Sequence, residues 1–176
     1  MPSSGRKPAV FLDRDGVLNE DRDYVHRPDD FVWIPGAIDA VKFLNGRGYY
    51  VFVVSNQSGV ARGYYTEDHV LGLFAHLREE LARHGATIDD YRYCPYHPDG
   101  VVERYKKSSD WRKPKPGMIL DLMQHWDVDK ANSFMIGDQT IDVQAAHAAD
   151  IDGYQFEGGN LLEFIHTVVA RRALGR

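Results

Sequence analysis

Cysteine is almost absent from this chain of 176 residues: Cys94 stands alone, which excludes an internal disulfide framework and fits the reducing cytoplasm. Long apolar runs are missing too. No stretch approaches the roughly 18 residues of a spanning helix, and Met1 to Pro8 lacks the apolar core of a secretion signal. Both absences point to a soluble chain with no membrane partner. Positive charge is in deficit, with 21 Lys and Arg against 26 Asp and Glu, a net charge of −5 and a pI near 5.9. That balance argues against nucleic-acid partners, which favour a basic surface. Internal repeats and low-complexity stretches are lacking as well. What is present, 43% hydrophobic residues in a chain of ordinary domain length, predicts one domain over 1–176 with a short polar tail at 1–8. A monomer is expected, although composition does not fix the oligomeric state.

Chemistry is concentrated in four segments. Residues 9 to 16 read Ala-Val-Phe-Leu-Asp-Arg-Asp-Gly, an apolar run too short for a helix that ends in Asp13 and Asp15. Residues two apart on a strand share a face, but where the chain leaves the sheet at Asp-Gly the second carboxylate swings round. One carboxylate is then free to attack while the other exchanges a proton. Taken alone, the segment also reads as a surface turn. Residues 49 to 59 form another buried-type strand that breaks into Ser55, Asn56, Gln57, Ser58 and Gly59, small groups whose backbone N–H can face an anion. In Arg112-Lys113-Pro-Lys-Pro-Gly117, Pro116 suits the first turn of a helix and Lys113 stands just before it. Residues 133 to 142 repeat the strand-then-carboxylate design, with Asp138 at the strand end and Asp142 a helical turn on.

Strands are predicted near residues 9–13, 50–55, 89–94, 133–137 and 153–156, with helices between them. The first helix covers 35–47 and stops at Gly46 or Gly48. The second is capped by Thr66 and turns Val70, Leu71, Phe74, Leu77 and Leu81 to the core. Met118, Leu120, Leu122 and Met123 mark a third, and Asn160-x-x-Glu163 opens the last. This alternation predicts an α/β fold, a Rossmann-like doubly wound parallel sheet with helices on both faces. Ligands of such sheets bind beyond the carboxyl ends of the strands, where all the candidate residues fall. About 40 residues separate Asp13 from Ser55, and the first helix uses a third of them, which leaves no room for a large cap domain. Residues 95–112 are expected to form an active-site loop instead.

Carboxylate pair, hydroxyl, lysine and carboxylate pair, in that order, resemble the four motifs of the haloacid dehalogenase superfamily of phosphohydrolases. The finer wording FLDRDGVLNEDRDYVHRP, SNQSGVARGYY, RKPKPGM and Cys94-Pro-Tyr-His-Pro is similar to its heptose bisphosphate phosphatases and histidinol-phosphatase relatives, over about residues 8 to 165. The resemblance implies a phosphatase in which Asp13 attacks and forms an aspartyl-phosphate and Asp15 serves as general acid and base. Ser55 and Lys113 bind the phosphoryl oxygens, and Asp142 orients Lys113 or a metal-bound water. It also implies Mg²⁺ on Asp13, Asp138 and a backbone carbonyl near Asp15, since a carboxylate and a phosphate repel each other. As substrate contacts it implies Asp21, Arg22 and Tyr24, then Asn56, Gln57 and Ser58, with Arg112 beside the lysine and Arg62 toward a second phosphate. The expected partner is a small phosphorylated sugar, a heptose bisphosphate. Histidinol phosphate or another small phosphomonoester, a DNA 3′-phosphate, and a catalytically silent phosphosugar-binding role stand as alternatives. Six of the twelve residues from Arg104 to Lys115 are basic, which suits steering of a bisphosphate or simply a solvated loop.

Two departures from that family pattern matter. Where many members carry zinc ligands of the form Cys-x-His followed by Cys-x-Cys, this chain has Cys94, Tyr96, Ser109 and Trp111. Zinc needs about four N or S ligands in a closed site, and His97 cannot supply the missing three. No structural zinc is therefore expected, with Tyr96 and Trp111 packing there instead. The second is Gln139, where heptose phosphatases often place a basic residue, and this departure bears on the choice of substrate. His69, His76, His125, His147 and His166 fall on predicted helices without ligand spacing and read as packing or surface residues.

Overall fold

The computed structural model describes residues 5–175. Five strands, β1 (Ala9–Leu12), β2 (Tyr50–Asn56), β3 (Asp90–Cys94), β4 (Phe134–Gly137) and β5 (Asp152–Gln155), pair in parallel in the order β3-β2-β1-β4-β5. The helices are α1 (Ala37–Gly46), α2 (Glu67–Arg83), α3 (Gly117–His125), α4 (Thr140–Ala148) and α5 (Leu161–Leu174). The predicted doubly wound α/β architecture is what forms. Strand alternation divides the core in two. Val10, Leu12, Val51, Val53, Phe134 and Ile136 face α1, α2 and α5, while Ala9, Phe11, Phe52, Val54 and Met135 face α3 and α4. Because both faces are covered, β1 and β4 are apolar and buried along their whole length, which is why they read as unbroken hydrophobic runs.

Helix boundaries follow the capping chemistry. Thr66 and His69 form a reciprocal box at the start of α2, and the Asn160 side chain accepts from the Glu163 N–H at 3.2 Å. One core assignment is corrected: Leu71 is solvent-exposed, while Leu73 is buried; on α3, Leu120 is exposed and Ile119 is buried. The stripe of α2 runs through Val70, Leu73, Phe74, Leu77 and Leu81, and Leu71 lies a quarter-turn off it. Of the polar tail, residues 1–4 lie outside the described residues, whereas Lys7 bridges in parallel to Val128.

The chain builds outward from β1 to β2 and β3, then returns to β4 and β5 on the other side. Its direction therefore reverses between β1 and β4, and the crevice outside their carboxyl ends is where such a sheet binds ligands. No helix is long and apolar enough to cross a membrane among the described residues.

Candidate active site

Asp13 follows β1 directly, and its N–H still reaches the Ile136 carbonyl of β4 at 3.1 Å, which seats it at the reversal point. The chain then turns at Gly16, whose φ of +85° suits glycine. A Cβ at Gly16 would stand 2.1 Å from the Asp138 Oδ2, so glycine also lets the β4 carboxylate close on the β1 loop. Asp15 is held by three donors. Its Oδ1 accepts from Arg14 Nη2 at 2.9 Å and Asn19 Nδ2 at 3.0 Å, and its Oδ2 accepts from Gln57 Nε2 at 3.2 Å.

Lys113 reaches in from the start of α3 and is only 2% exposed. Its Nζ lies 3.0 Å from Asp13 Oδ1 and 2.6 Å from Asp142 Oδ1, and donates to the Val54 carbonyl at 3.0 Å. Burial works against its charge, but Asp13 and Asp142 outweigh it and hold the ammonium above its ordinary pKa, so Lys113 stays charged. Burial pushes Asp13 well above the usual carboxylate range; Lys113 opposes, as does the Arg14 N–H that donates to Asp13 Oδ1 at 2.8 Å, while Asp142, Asp15 and Asp138 push the same way as burial. Asp138 is raised as well, chiefly by burial. Counted as ionised, Asp13, Asp15, Asp138 and Asp142 outnumber the two buried cations among them, Arg14 and Lys113, by two.

A cleft of about 280 Å³ opens here, lined by Asp13, Asp15, Asp21, Asp23, Tyr24, Asn56, Gln57, Ser58, Tyr65, Arg112, Lys113, Gln139 and Ile141. Ten of the residues singled out in the sequence thus share one cavity. Ser55 and Asp142 lie buried outside its lining. Asn56 is spent on the backbone of Lys113: its Oδ1 accepts from the Lys113 N–H at 3.0 Å and its Nδ2 donates to the Lys113 carbonyl at 3.1 Å. Arg22, which pairs with Glu20 at 2.6 Å, and Arg62, whose Nη2 lies 3.4 Å from His97 Nε2, are outside the lining. Sequence reasoning missed Tyr65, Asp23, Arg14 and Asn19. Only Arg14 carried a signal, since a cation flanked by two buried carboxylates in sequence has partners within reach. A larger hollow of about 380 Å³ beside β3, rich in Tyr91, Tyr93, Tyr96 and Trp111, contains none of these carboxylates and lies apart from the chemistry.

Carboxylate oxygens of Asp13, Asp138 and Asp142 lie within 4.8 Å of one another. Asp142 is committed to Lys113 and to the Gln139 N–H, whereas Asp138 Oδ1 is buried without a partner. An all-oxygen donor set with an unsatisfied carboxylate and two surplus negative charges fits a hard divalent cation. The Cys94 region differs in kind. The buried thiol donates to the Tyr96 carbonyl at 3.9 Å, and burial pushes its pKa up, away from the thiolate a metal requires. Tyr96 and Trp111 pack against the buried cluster that contains Cys94.

The HAD-hydrolase-like family model matches residues 110–161. The D-glycero-beta-D-manno-heptose-1,7-bisphosphate 7-phosphatase of Rhodopseudomonas palustris is 48% identical over 167 residues, covering 95% of this chain and 93% of that protein. The protein of the same name from Escherichia coli K12 is 45% identical over 144 residues, 82% of this chain and 75% of that one. The crystal structure of D,D-heptose 1,7-bisphosphate phosphatase from B. bronchiseptica, complexed with magnesium and phosphate, matches with a TM-score of 0.78. Its identity is 32%, over 91% of this chain and 86% of that one. Sheet order, the sequence of carboxylates, hydroxyl and lysine, and identity along nearly the full length of a relative agree: the chain belongs to the haloacid dehalogenase superfamily, among the relatives of the heptose bisphosphate phosphatases, and is a phosphoric monoester hydrolase.

Proposed function

We propose that the protein is a Mg²⁺-dependent phosphatase that removes the 7-phosphate of D-glycero-D-manno-heptose 1,7-bisphosphate through an aspartyl-phosphate at Asp13. The observation that carries this reading is the convergence of Asp13, Lys113 and Asp15 on one cleft in a chain with such relatives. Asp13 attacks phosphorus as the bond to the sugar oxygen breaks, and Asp15 gives its proton to the departing alkoxide. Water then attacks the acyl phosphate, Asp15 takes its proton, and phosphate leaves with Asp13 restored. Lys113, fixed by Asp142, neutralises the equatorial oxygens, with Ser55 as a further donor. Asp13 and Asp138 would hold Mg²⁺, which supplies the positive charge that lets a carboxylate approach a phosphate.

Tyr24, Ser58, Asp21 and Gln139 offer hydroxyl, carboxylate and amide groups for the sugar. For the remote phosphate the reading assigns Arg112, with Arg62 and His97 behind it. Nδ1 of His97 accepts from the Asp99 N–H at 3.0 Å, so in the neutral ring Nε2 carries the proton. Burial, then the charges of Arg112 and Arg62, push His97 below its ordinary pKa and keep it neutral. Nε2 therefore meets Arg62 Nη2 donor to donor at 3.4 Å, while the Nε atoms of Arg62 and Arg112 are buried without acceptors. Such a group of donors suits an anion.

A charge-assisted contact is worth roughly 1.5–3 kcal/mol, so the bisphosphate should exceed its monophosphate counterpart by about tenfold or more in kcat/KM. Arg112→Ala should erase most of that margin and leave an aryl phosphate nearly unchanged, because only the bisphosphate uses the remote contact. Equal losses on both substrates, or no preference in the wild type, would move the assignment to a monophosphate such as histidinol phosphate.

A further inference from the structure

Gln57 has a side chain whose two ends are nearly identical in shape, and its neighbours demand that they not be interchanged. Nε2 donates to Ser55 Oγ at 2.8 Å and to Asp15 Oδ2 at 3.2 Å. Reversal of the amide would set its carbonyl oxygen against the Asp15 carboxylate, a repulsive contact in a site that already carries excess negative charge. On the opposite side, Oε1 accepts from the Tyr65 hydroxyl at 2.5 Å. The Tyr65 hydroxyl on one side and the Asp15 carboxylate on the other thus hold the amide in one orientation.

Tyr65 is built to hold that proton in place. Its ring lies against Gly59 so closely that a Cβ there would stand 2.1 Å from Tyr65 Cε1, and its other face stacks on His26 at 4.8 Å and 15°. Burial pushes the phenol up to about 12, so it remains a donor throughout the range in which the enzyme works. The Gln57 backbone is fixed as well, its N–H donating to the Cys94 carbonyl at 2.8 Å. On Asp15, Arg14 and Asn19 both engage Oδ1, which leaves Oδ2 as the oxygen to carry the transferable proton, and only Gln57 orients it.

We infer that Tyr65 is a positioning residue for proton transfer: its hydroxyl fixes the Gln57 amide, which aims Asp15 Oδ2 at the leaving oxygen. The inference rests on the proposed role of Asp15 as general acid and names what makes that acid competent. Tyr65 lines the cleft, but its hydroxyl is engaged by Gln57, and it is through Gln57 that it acts.

The test uses leaving groups. A sugar alkoxide leaves only with a proton, whereas p-nitrophenolate leaves without one, and kcat/KM reports only steps up to that departure. Tyr65→Phe keeps the ring between Gly59 and His26. It should lower kcat/KM about tenfold or more for whichever phosphorylated sugar the wild type hydrolyses fastest, with less than about twofold change for p-nitrophenyl phosphate. Gln57→Leu, which removes both ends of the relay, should slow the sugar substrate at least as much, and on that substrate the double variant should be no worse than Gln57→Leu alone. Equal losses on both substrates or no loss in Tyr65→Phe, or additive losses in the double variant, would overturn the inference. Asp15→Asn is the reference: a selective loss there without one in Tyr65→Phe refutes the relay alone, whereas its absence in Asp15→Asn refutes the general-acid reading and the relay together.

Discussion

At the scale of the residue, Asp13 combines demands that conflict in the protein alone. It must be ionised to attack, yet burial and three neighbouring carboxylates raise its pKa, and Lys113 and the Arg14 N–H offset them only in part. For an acid, a folded-state value above the ordinary one means that ionisation opposes folding at neutral pH, so the charge is carried at a cost in stability. Asp13→Asn removes that cost and leaves Lys113 paired with Asp142 at 2.6 Å. The variant should lose all but a few per cent of phosphate release while melting, in chelator, no lower than the wild type. Retained activity, or a large drop in melting temperature, would contradict the assignment. Asp13, Asp15, Lys113, Asp138 and Asp142 were legible in the sequence because each sits at a strand end or helix start fixed by its own segment. Tyr65 was not legible as part of the site, because its contact with Gln57 depends on how the loop after β2 folds back. Arg22 pairs locally with Glu20, a contact that a loop charge takes readily.

At the scale of the element, the loop over 95–112 carries His97 and Arg112 and is tied down by side chains. Glu67, in the first turn of α2, accepts from the Tyr93 hydroxyl at 2.7 Å and the Tyr105 hydroxyl at 2.6 Å, which binds helix, edge strand and loop together. Lys107 lies over the Tyr96 ring at 4.2 Å and adds a cation–π contact. The Tyr105 hydrogen bond is the main reason the Glu67 pKa falls below its ordinary 4.5, with Tyr93 adding to it and burial opposing. A depressed acid stabilises the form above its ordinary value, so this tie is at full strength at neutral pH and weakens as pH falls through the depressed value. Amide exchange in 95–112, corrected for its intrinsic pH dependence, should therefore accelerate below about pH 4.5 ahead of the core strands. Glu67→Ala should produce at pH 7 an acceleration of about tenfold confined to the same loop, and a spread through β1 and β4 would instead mean global destabilisation. The strands and the caps at Thr66 and Asn160 were legible because periodicity and capping are local properties. The exposed faces of Leu71 and Leu120 were not, since an apolar residue beside a helical stripe does not announce how far the neighbouring layer extends.

At the scale of the whole molecule, the sheet order decides where charge accumulates. Reversal between β1 and β4 brings Asp13 and Asp138, 125 positions apart in the chain, to the same crevice, and α4 adds Asp142. The net charge of −5 is thus locally concentrated, and the basic stretch from Arg104 to Lys115 dilutes it less than its composition suggests. Arg104 lies over the Tyr105 ring, Lys107 over Tyr96, and Lys115 pairs with Asp110 at 3.4 Å. A divalent cation is then coupled to folding, because the unfolded chain separates these carboxylates and releases the repulsion that the fold imposes. Mg²⁺ at a hundred times its Kd should stabilise by about 2.7 kcal/mol, which for a chain of this size is a rise in melting temperature of roughly 5–10 °C. Asp138→Asn removes one of the proposed ligands and one of the two surplus charges together. It should melt higher than the wild type in chelator, yet gain little from Mg²⁺ and show only a small fraction of wild-type turnover. Chelation should stop phosphate release in the wild type, Mg²⁺ should restore it, and metal analysis of untreated protein should find no stoichiometric zinc. A wild-type melting temperature indifferent to Mg²⁺, or an Asp138→Asn variant that responds like the wild type, would remove the cation from this crevice. One zinc retained per chain would return the Cys94 to Trp111 loop to metal binding, with the ligands to be sought among side chains other than Tyr96 and Trp111.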